Sequence, residues 1–492
     1  MPNKKNKKSL FVLVAFLMLL STTIFVFPIR ANQAPKPSQG VVLTVTMLGD
    51  QQKPGVENIT DAFLASPLGY GVDNVNVESS GEDANLQLIS LQTSLQGGTL
   101  TSDVIAIDTV WTAPFAENGW IINLDDYIED GEFDVYGSGI VASCIYKGSY
   151  YAYPYFMNLG VLYYRKDLLD LHLTSWSEAD FDTWEELNET ANYILSNETG
   201  LLDNPNLVGY IGQLDAYEGG VVNFFEWIGS NGVLDAVTST GDVNINTEAV
   251  NEAMTFIKSL VTPQYQTPQT GDWIIPRFGL VMDEASSANY WLQNNSIFLR
   301  QWPYVYPLSE GNNMDFGIAP LPHFEGATGY KTSVIGGAIM AVPTATTGAA
   351  REAAINFTKF LGDQLAQEAE LTAINPVTND PEGNFPALLS VYDNPPAGFE
   401  WIKNWSDQAA LTLSRPVHPD YPLISNAIAD YFSDLLSGQK SVDLALEQME
   451  RDVKEIVSGP PEEPIPGYSI AIVLILVAFT VGVVIIARKK LN

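Results

Sequence analysis

Between residues 41 and 457, short runs of branched apolar residues alternate with longer stretches in which apolar positions recur every three or four residues. Val41 to Leu48, Val72 to Glu78 and Asp103 to Ile107 read as strands. Leu86, Ile89, Leu91 and Leu95 fall near one face of a predicted helix, and Ala249, Ala253, Phe256, Ile257 and Leu260 near one face of another. Strands alternating with helices predict α/β layers on largely parallel sheets, in which ligands sit beyond the carboxyl ends of strands. Function is therefore sought in residues that follow strands. Breaks at Tyr153-Pro154-Tyr155 and Ala319-Pro320-Leu321-Pro322 are candidate crossings between lobes.

Both ends depart from this pattern. Lys4, Lys5, Lys7 and Lys8 precede an uncharged apolar run from Leu10 to Phe27, the layout of a secretory signal over residues 1–31. Cleavage after Ala31 and retention as a signal anchor both fit. Tyr468 to Ala487 is free of charge and, at about 20 residues, long enough to span about 30 Å of hydrocarbon. Arg488, Lys489 and Lys490 follow it, which predicts a cytoplasmic tail at 488–492 and an extracytoplasmic domain at 41–457. Residues 458–467, with Pro460, Pro461, Pro464 and Pro466, read as a semi-rigid spacer. The expected location is the cell membrane, crossed once. Asn58, Asn188, Asn197, Asn294, Asn356 and Asn404 head N-x-S/T triplets that an exported chain can glycosylate.

At 492 residues the chain is longer than one core usually grows, so two lobes are expected. Its 58 acidic and 24 basic residues give a formal charge of -34, which argues against nucleic acid and anionic lipid as partners. One cysteine, Cys144, excludes an internal disulfide and cysteine-rich metal sets. His172, His323 and His418 lack a second histidine or cysteine at ligand spacing, so no metal and no cofactor is implied. No nucleophile elbow, phosphate loop or dinucleotide turn occurs. Phosphoryl transfer and dinucleotide chemistry therefore lose their usual sequence support. Asp125-Asp126 and Glu129-Asp130 read as a solvated surface, although with so many carboxylates a glycosidase pair stays open.

Several of the 10 Trp, 22 Tyr and 22 Phe residues stand beside polar groups, in Asp108-Thr109-Val110-Trp111, Tyr217-Glu218-Gly219-Gly220 and Arg300-Gln301-Trp302-Pro303-Tyr304. A sugar has apolar C–H faces and a rim of hydroxyls, which such mixed surfaces suit. Core packing is the alternative role for each ring.

At these segments the sequence resembles the extracellular solute-binding proteins of carbohydrate ABC importers, most closely the trehalose/maltose-binding branch. The likeness continues in order through "AENGWIINL" (Ala116 to Leu124), "YYAYPYFMNLGVLYYRKDLL" (Tyr150 to Leu169), "FGIAPLPH" (Phe316 to His323), Gly336-Gly337 and Arg415-Pro416-Val417. It implies a two-lobed periplasmic-binding-protein-like α/β fold, with a hinge and an interlobe cleft that closes on a di- or oligosaccharide. The implied partners are that sugar and ABC permease subunits with their ATPase, engaged by a monomer that the C-terminal helix holds to the membrane in an archaeal-type arrangement. By position Asp108 resembles the family's hydroxyl acceptor, Trp302 a stacking platform and Arg415 a charged donor, with Trp111, Tyr217, Glu218, Gly336 and Gly337 beside them. This chain departs from the branch at Phe156 and Asn158, where tyrosine and aspartate are common, and at Ala338, where tryptophan is. Gln51 and Gln87 stand where an acidic and a basic residue are expected. These changes remove charge and one stacking face, which leaves the identity of the sugar open. A surface adhesion protein without a permease and a glycoside hydrolase are the alternatives.

Overall fold

The computed structural model describes residues 40–459 apart from 82–83, 198–203, 239, 264–272, 328–331 and 411. The predicted signal at 1–31, nearly all of the spacer and the predicted membrane helix at 468–487 lie outside the described residues. Among the described residues no helix is long and apolar enough to cross a membrane.

The strands are β1 (Val41–Met47), β2 (Val72–Ser79), β3 (Val104–Asp108), β4 (Ile145–Tyr146), β5 (Ser149–Tyr150), β6 (Tyr153–Leu159), β7 (Val161–Arg165), β8 (Val208–Ile211), β9 (Ser296–Gln301), β10 (Phe316–Ala319) and β11 (Ile335–Ala341). One lobe is built on a sheet of order β2-β1-β3-β11-β6, the other on β10-β7-β9-β8, and β4 with β5 forms a small hairpin. All of Val104 to Ile107 is buried, as expected of a strand covered on both faces, whereas on β1 Leu43, Val45 and Met47 are buried and Val42 is exposed. Helix Gly348–Gly362 packs on β1 and β6, helix Trp184–Asn197 on β8 and helix Glu284–Leu292 on β9.

The sheets are mixed rather than largely parallel. β1 runs parallel to β2 and β3, and β8 to β9, but β11 is antiparallel to both its neighbours and so is β7. A parallel neighbour needs a crossover within its own sheet, whereas β7 and β11 each follow a crossing from the other lobe.

Two further expectations are corrected. Tyr153-Pro154-Tyr155 lies inside β6, not at a crossing. Pro154 is tolerated there because β6 is an edge strand and its pairing with β11 shifts between Ala338 and Ile339. On helix Ala84–Gln96, Leu91 is buried, but Leu86 and Ile89 are 63% and 58% exposed. Its apolar positions serve two surfaces, the core and the cleft described below. Helix Glu248–Leu260 follows its predicted face, with Ala253, Ile257 and Leu260 buried. Among the glycosylation triplets Asn58, Asn197, Asn294 and Asn404 are exposed, and Asn188 and Asn356 are half-buried.

Three segments join the lobes. β6 passes directly into β7 through Gly160, Thr332 to Val334 leads into β11, and Leu413 to Arg415 returns toward the last helices. They bond to one another: Ile335 N donates to Leu413 O at 2.8 Å, Leu413 N to Ser333 O at 2.9 Å and Ser333 Oγ to Gly160 O at 2.6 Å. Beneath them Arg300 binds Glu226 through Nε at 2.7 Å and Nη2 at 2.6 Å, and Glu226 Oε1 accepts from Val334 N at 3.2 Å. Burial pushes the Glu226 carboxyl up and Arg300 pulls against it. Removal of either partner would strand a buried charge.

Candidate binding cleft

Asp108 ends β3, where the loops of this lobe converge. Its Oδ1 accepts from Val110 N at 3.2 Å, an Asx turn that fixes the carboxylate as the chain leaves the strand. Trp111 follows, buried and stacked on Phe115 with ring centroids 6.0 Å apart. In the other lobe Glu218 opens helix Glu218–Gly229, where the helix dipole favours a negative charge. Tyr421 opens helix Tyr421–Ser437, which the early Pro422 helps to start. Arg415 precedes Pro416, so it is held extended along its crossing.

Arg415 joins the two carboxylates. Nη2 donates to Asp108 Oδ1 and Thr109 Oγ1, both at 2.9 Å, and to Ile335 O at 3.2 Å, while Nη1 donates to Glu218 Oε1. Tyr421 and Ser425 complete the shell of Glu218 with their hydroxyls. Burial pulls the guanidinium down, but the two carboxylates outweigh it and hold Arg415 above its usual range. Burial and Glu218 raise the Tyr421 phenol, which stays a neutral donor. Asp108 Oδ2 has no protein partner among the described residues, so one acceptor is free.

Around this triad lies a cavity of about 300 Å³. It is lined by Leu88, Ile89, Gln92, Asp108 and Trp111 from one lobe and by Glu218, Tyr421, Pro422, Ser425 and Asn426 from the other. A larger groove of about 640 Å³ runs between the last two helices within one lobe. Two of its four carboxylates are paired, Asp434 with Lys440 and Asp452 with Tyr431, and its lining comes from one lobe alone, so the interlobe cavity, which both lobes line, is the stronger candidate. It holds no histidine or cysteine, and among the described residues no group of three or more His, Cys, Asp or Glu is placed to hold a metal.

The predicted site residues separate into groups. Asp108, Trp111 and Glu218 line the cavity, and Arg415 ties the two carboxylates. Trp302 does not line it: Arg300 lies 4.1 Å from its ring centroid, and a side chain on Gly336 would meet that ring at 3.0 Å. Gly337 has a φ of 112° and sits where a Cβ would strike Phe156 O at 2.4 Å, so glycine is required by the backbone. Tyr217 is turned to Glu284, to which its hydroxyl donates at 2.6 Å. Phe156 is core, edge-on to Tyr155. Asn158 is buried and bonds Asn384 at 2.8 Å. Gln87 is buried and donates to Gly81 O at 2.8 Å; residues one, two and five positions on line the cavity in its place. Gln51 lies in the single turn Asp50–Gln52, and its side chain lies outside the described residues.

Leu88, Gln92, Tyr421, Pro422, Ser425 and Asn426 were not singled out in the sequence, and Ile89 only as part of a helix face. A signal existed for two of them: Tyr421 and Ser425 are four apart and share a helix face, and both reach Glu218.

Comparison with known proteins bears on the same region. The chain is 30% identical over 312 residues to a probable ABC transporter-binding protein of Deinococcus radiodurans, covering 62% of this chain and 69% of that one. Maltose-bound T. maritima MalE3 superposes with a TM-score of 0.70 at 23% identity, over 84% of this chain and 99% of that one. The cyclic alpha-maltosyl-1,6-maltose binding protein of Arthrobacter globiformis gives 0.66 at 22% identity, over 85% and 100%. These two likenesses bear on the fold, and they support the two-lobed periplasmic-binding-protein-like architecture. The profile of the bacterial extracellular solute-binding proteins matches residues 60–396, more than half of the chain. The chain therefore belongs to the bacterial extracellular solute-binding protein family.

Proposed function

We propose that the chain captures a sugar, a di- or oligosaccharide of maltose or trehalose type, between its lobes and delivers it unchanged to the permease of an ABC importer. The observation that carries this reading is the interlobe cavity with Asp108 and Glu218 at its wall and Arg415 tying the two together behind it. It offers a free carboxylate oxygen, amides and an indole to a ligand that has hydroxyls and apolar faces. The bound sugars of the structural relatives and the transporter role named for the Deinococcus protein support it. The predicted apolar segment at 468–487 would anchor the domain outside the membrane, as a monomer on its spacer.

The test is calorimetric titration and thermal unfolding of the full-length chain with maltose, trehalose, glucose, galactose and longer maltodextrins. At a hundredfold excess over Kd a bound sugar adds about 2.7 kcal/mol to stability, which appears as a clear rise in Tm. Absence of binding across that panel by a folded protein rejects capture of a sugar.

A further inference from the structure

The guanidinium that the family resemblance offers to the ligand is already engaged. Both terminal nitrogens of Arg415 point to protein acceptors, its Nε is buried without a partner, and Arg415 is not among the residues that line the cavity. The cavity wall therefore presents two carboxylates and no free cation. Among the polar side chains that line the cavity, Trp111, Gln92 on helix Ala84–Gln96 and Asn426 on helix Tyr421–Ser437 make no side-chain hydrogen bond among the described residues, and of these only the two amides carry an acceptor as well as donors. The two amides come from opposite lobes. Each amide carries donors and an acceptor, so together they can read either polarity of a hydroxyl, and only when both lobes face the same ligand. Leu88, Ile89 and Pro422 fill the wall between the polar groups with apolar surface.

Resting on the capture reading, we propose that Gln92 and Asn426, not Arg415, choose the ligand, and that the cleft takes an uncharged sugar and rejects its uronic-acid counterpart. A ligand carboxylate would meet Asp108 and Glu218 with no cation left to pair with it, and like charges brought together in a partly desolvated site repel. A hydroxyl, in contrast, finds Asp108 Oδ2 and the two amides.

The experiment is titration of the full-length wild type, Gln92→Ala and Asn426→Ala with the neutral sugar bound most tightly, with its epimer at one hydroxyl and with its uronate. Each variant is expected to bind the neutral sugar about tenfold more weakly, the loss of one good hydrogen bond, with the unliganded Tm unchanged. The ratio of affinities for the two epimers should also change, which a merely structural role would not cause. The uronate should bind wild type at least about tenfold more weakly than the neutral sugar. Unchanged affinity and epimer ratio in both variants, or a uronate bound as tightly as its neutral parent, overturns the assignment while capture stands. A folded wild type that binds no sugar overturns capture and the assignment together.

Discussion

Glu370 is fully buried and faces two donors, the Tyr155 hydroxyl at 2.6 Å and the Asn384 amide at 3.0 Å. Burial pushes its carboxyl up from 4.5 to about 7, against the pull of those two bonds. The folded protein therefore binds this proton more tightly than the unfolded chain. Its contribution is fully present below about 4.5 and is lost as pH rises through about 7. The shift corresponds to about 3 kcal/mol. Glu370→Gln is isosteric and cannot ionise, so its stability relative to wild type should rise between pH 5 and 8. Urea unfolding of both proteins across that range reads the difference directly, and parallel curves would clear Glu370 of the role. Asn158 belongs to the same network, through Asn384. Its place in the sequence suggested a pocket residue, since order along the chain says nothing of a partner at position 384. Asp108 and Glu218 were singled out because each stands near an aromatic residue in a segment that resembles the family, and both line the cavity.

At the scale of elements, the crossing through Gly160 is the tightest point of the hinge. A side chain there would come within 2.2 Å of Glu226 Oε1 and 2.5 Å of Arg300 Nη2. Those atoms cannot move aside cheaply, because each is held in a buried bidentate pair. Gly160→Ala should therefore destabilise the protein by about 2 kcal/mol, the range of overpacking in a filled interior. Chemical denaturation measures it, and a loss below about 0.5 kcal/mol would mean that the crossing has room to shift. The strands β1 and β3 were readable because their branched residues form nearly unbroken runs, and β2 because Val72, Val75 and Val77 recur among exposed polar residues on a sheet edge. The crossings were not. Their glycine, serine and valine carry no periodic signal, and what defines them is bonding between segments about 170 and about 80 residues apart in sequence. The helix Ala84–Gln96 failed differently: its apolar residues were found, but a cleft wall and a core wall look alike in one dimension.

For the whole molecule, the consequence is that one arginine on a crossing segment grips a carboxylate from each lobe. Arg415 is 2% exposed as a side chain, against 20% for Asp108 and 16% for Glu218. Replacement by methionine keeps the apolar stem and removes the charge. Asp108 and Glu218 would then face each other across the cleft uncompensated, at a cost of about 3 kcal/mol for breaking a buried pair. Two routes relieve that repulsion: water enters as the lobes swing apart about the three crossings, or the carboxylates take up protons. At neutral pH the first route should dominate, since only movement of the lobes rehydrates both groups. Arg415→Met should thus show a larger radius of gyration than wild type in X-ray scattering. The difference should shrink in about 1 M salt, where the screening length falls to about 3 Å. A variant with wild-type scattering at low salt would show that apolar contacts at the cavity wall, not the triad, hold the lobes together.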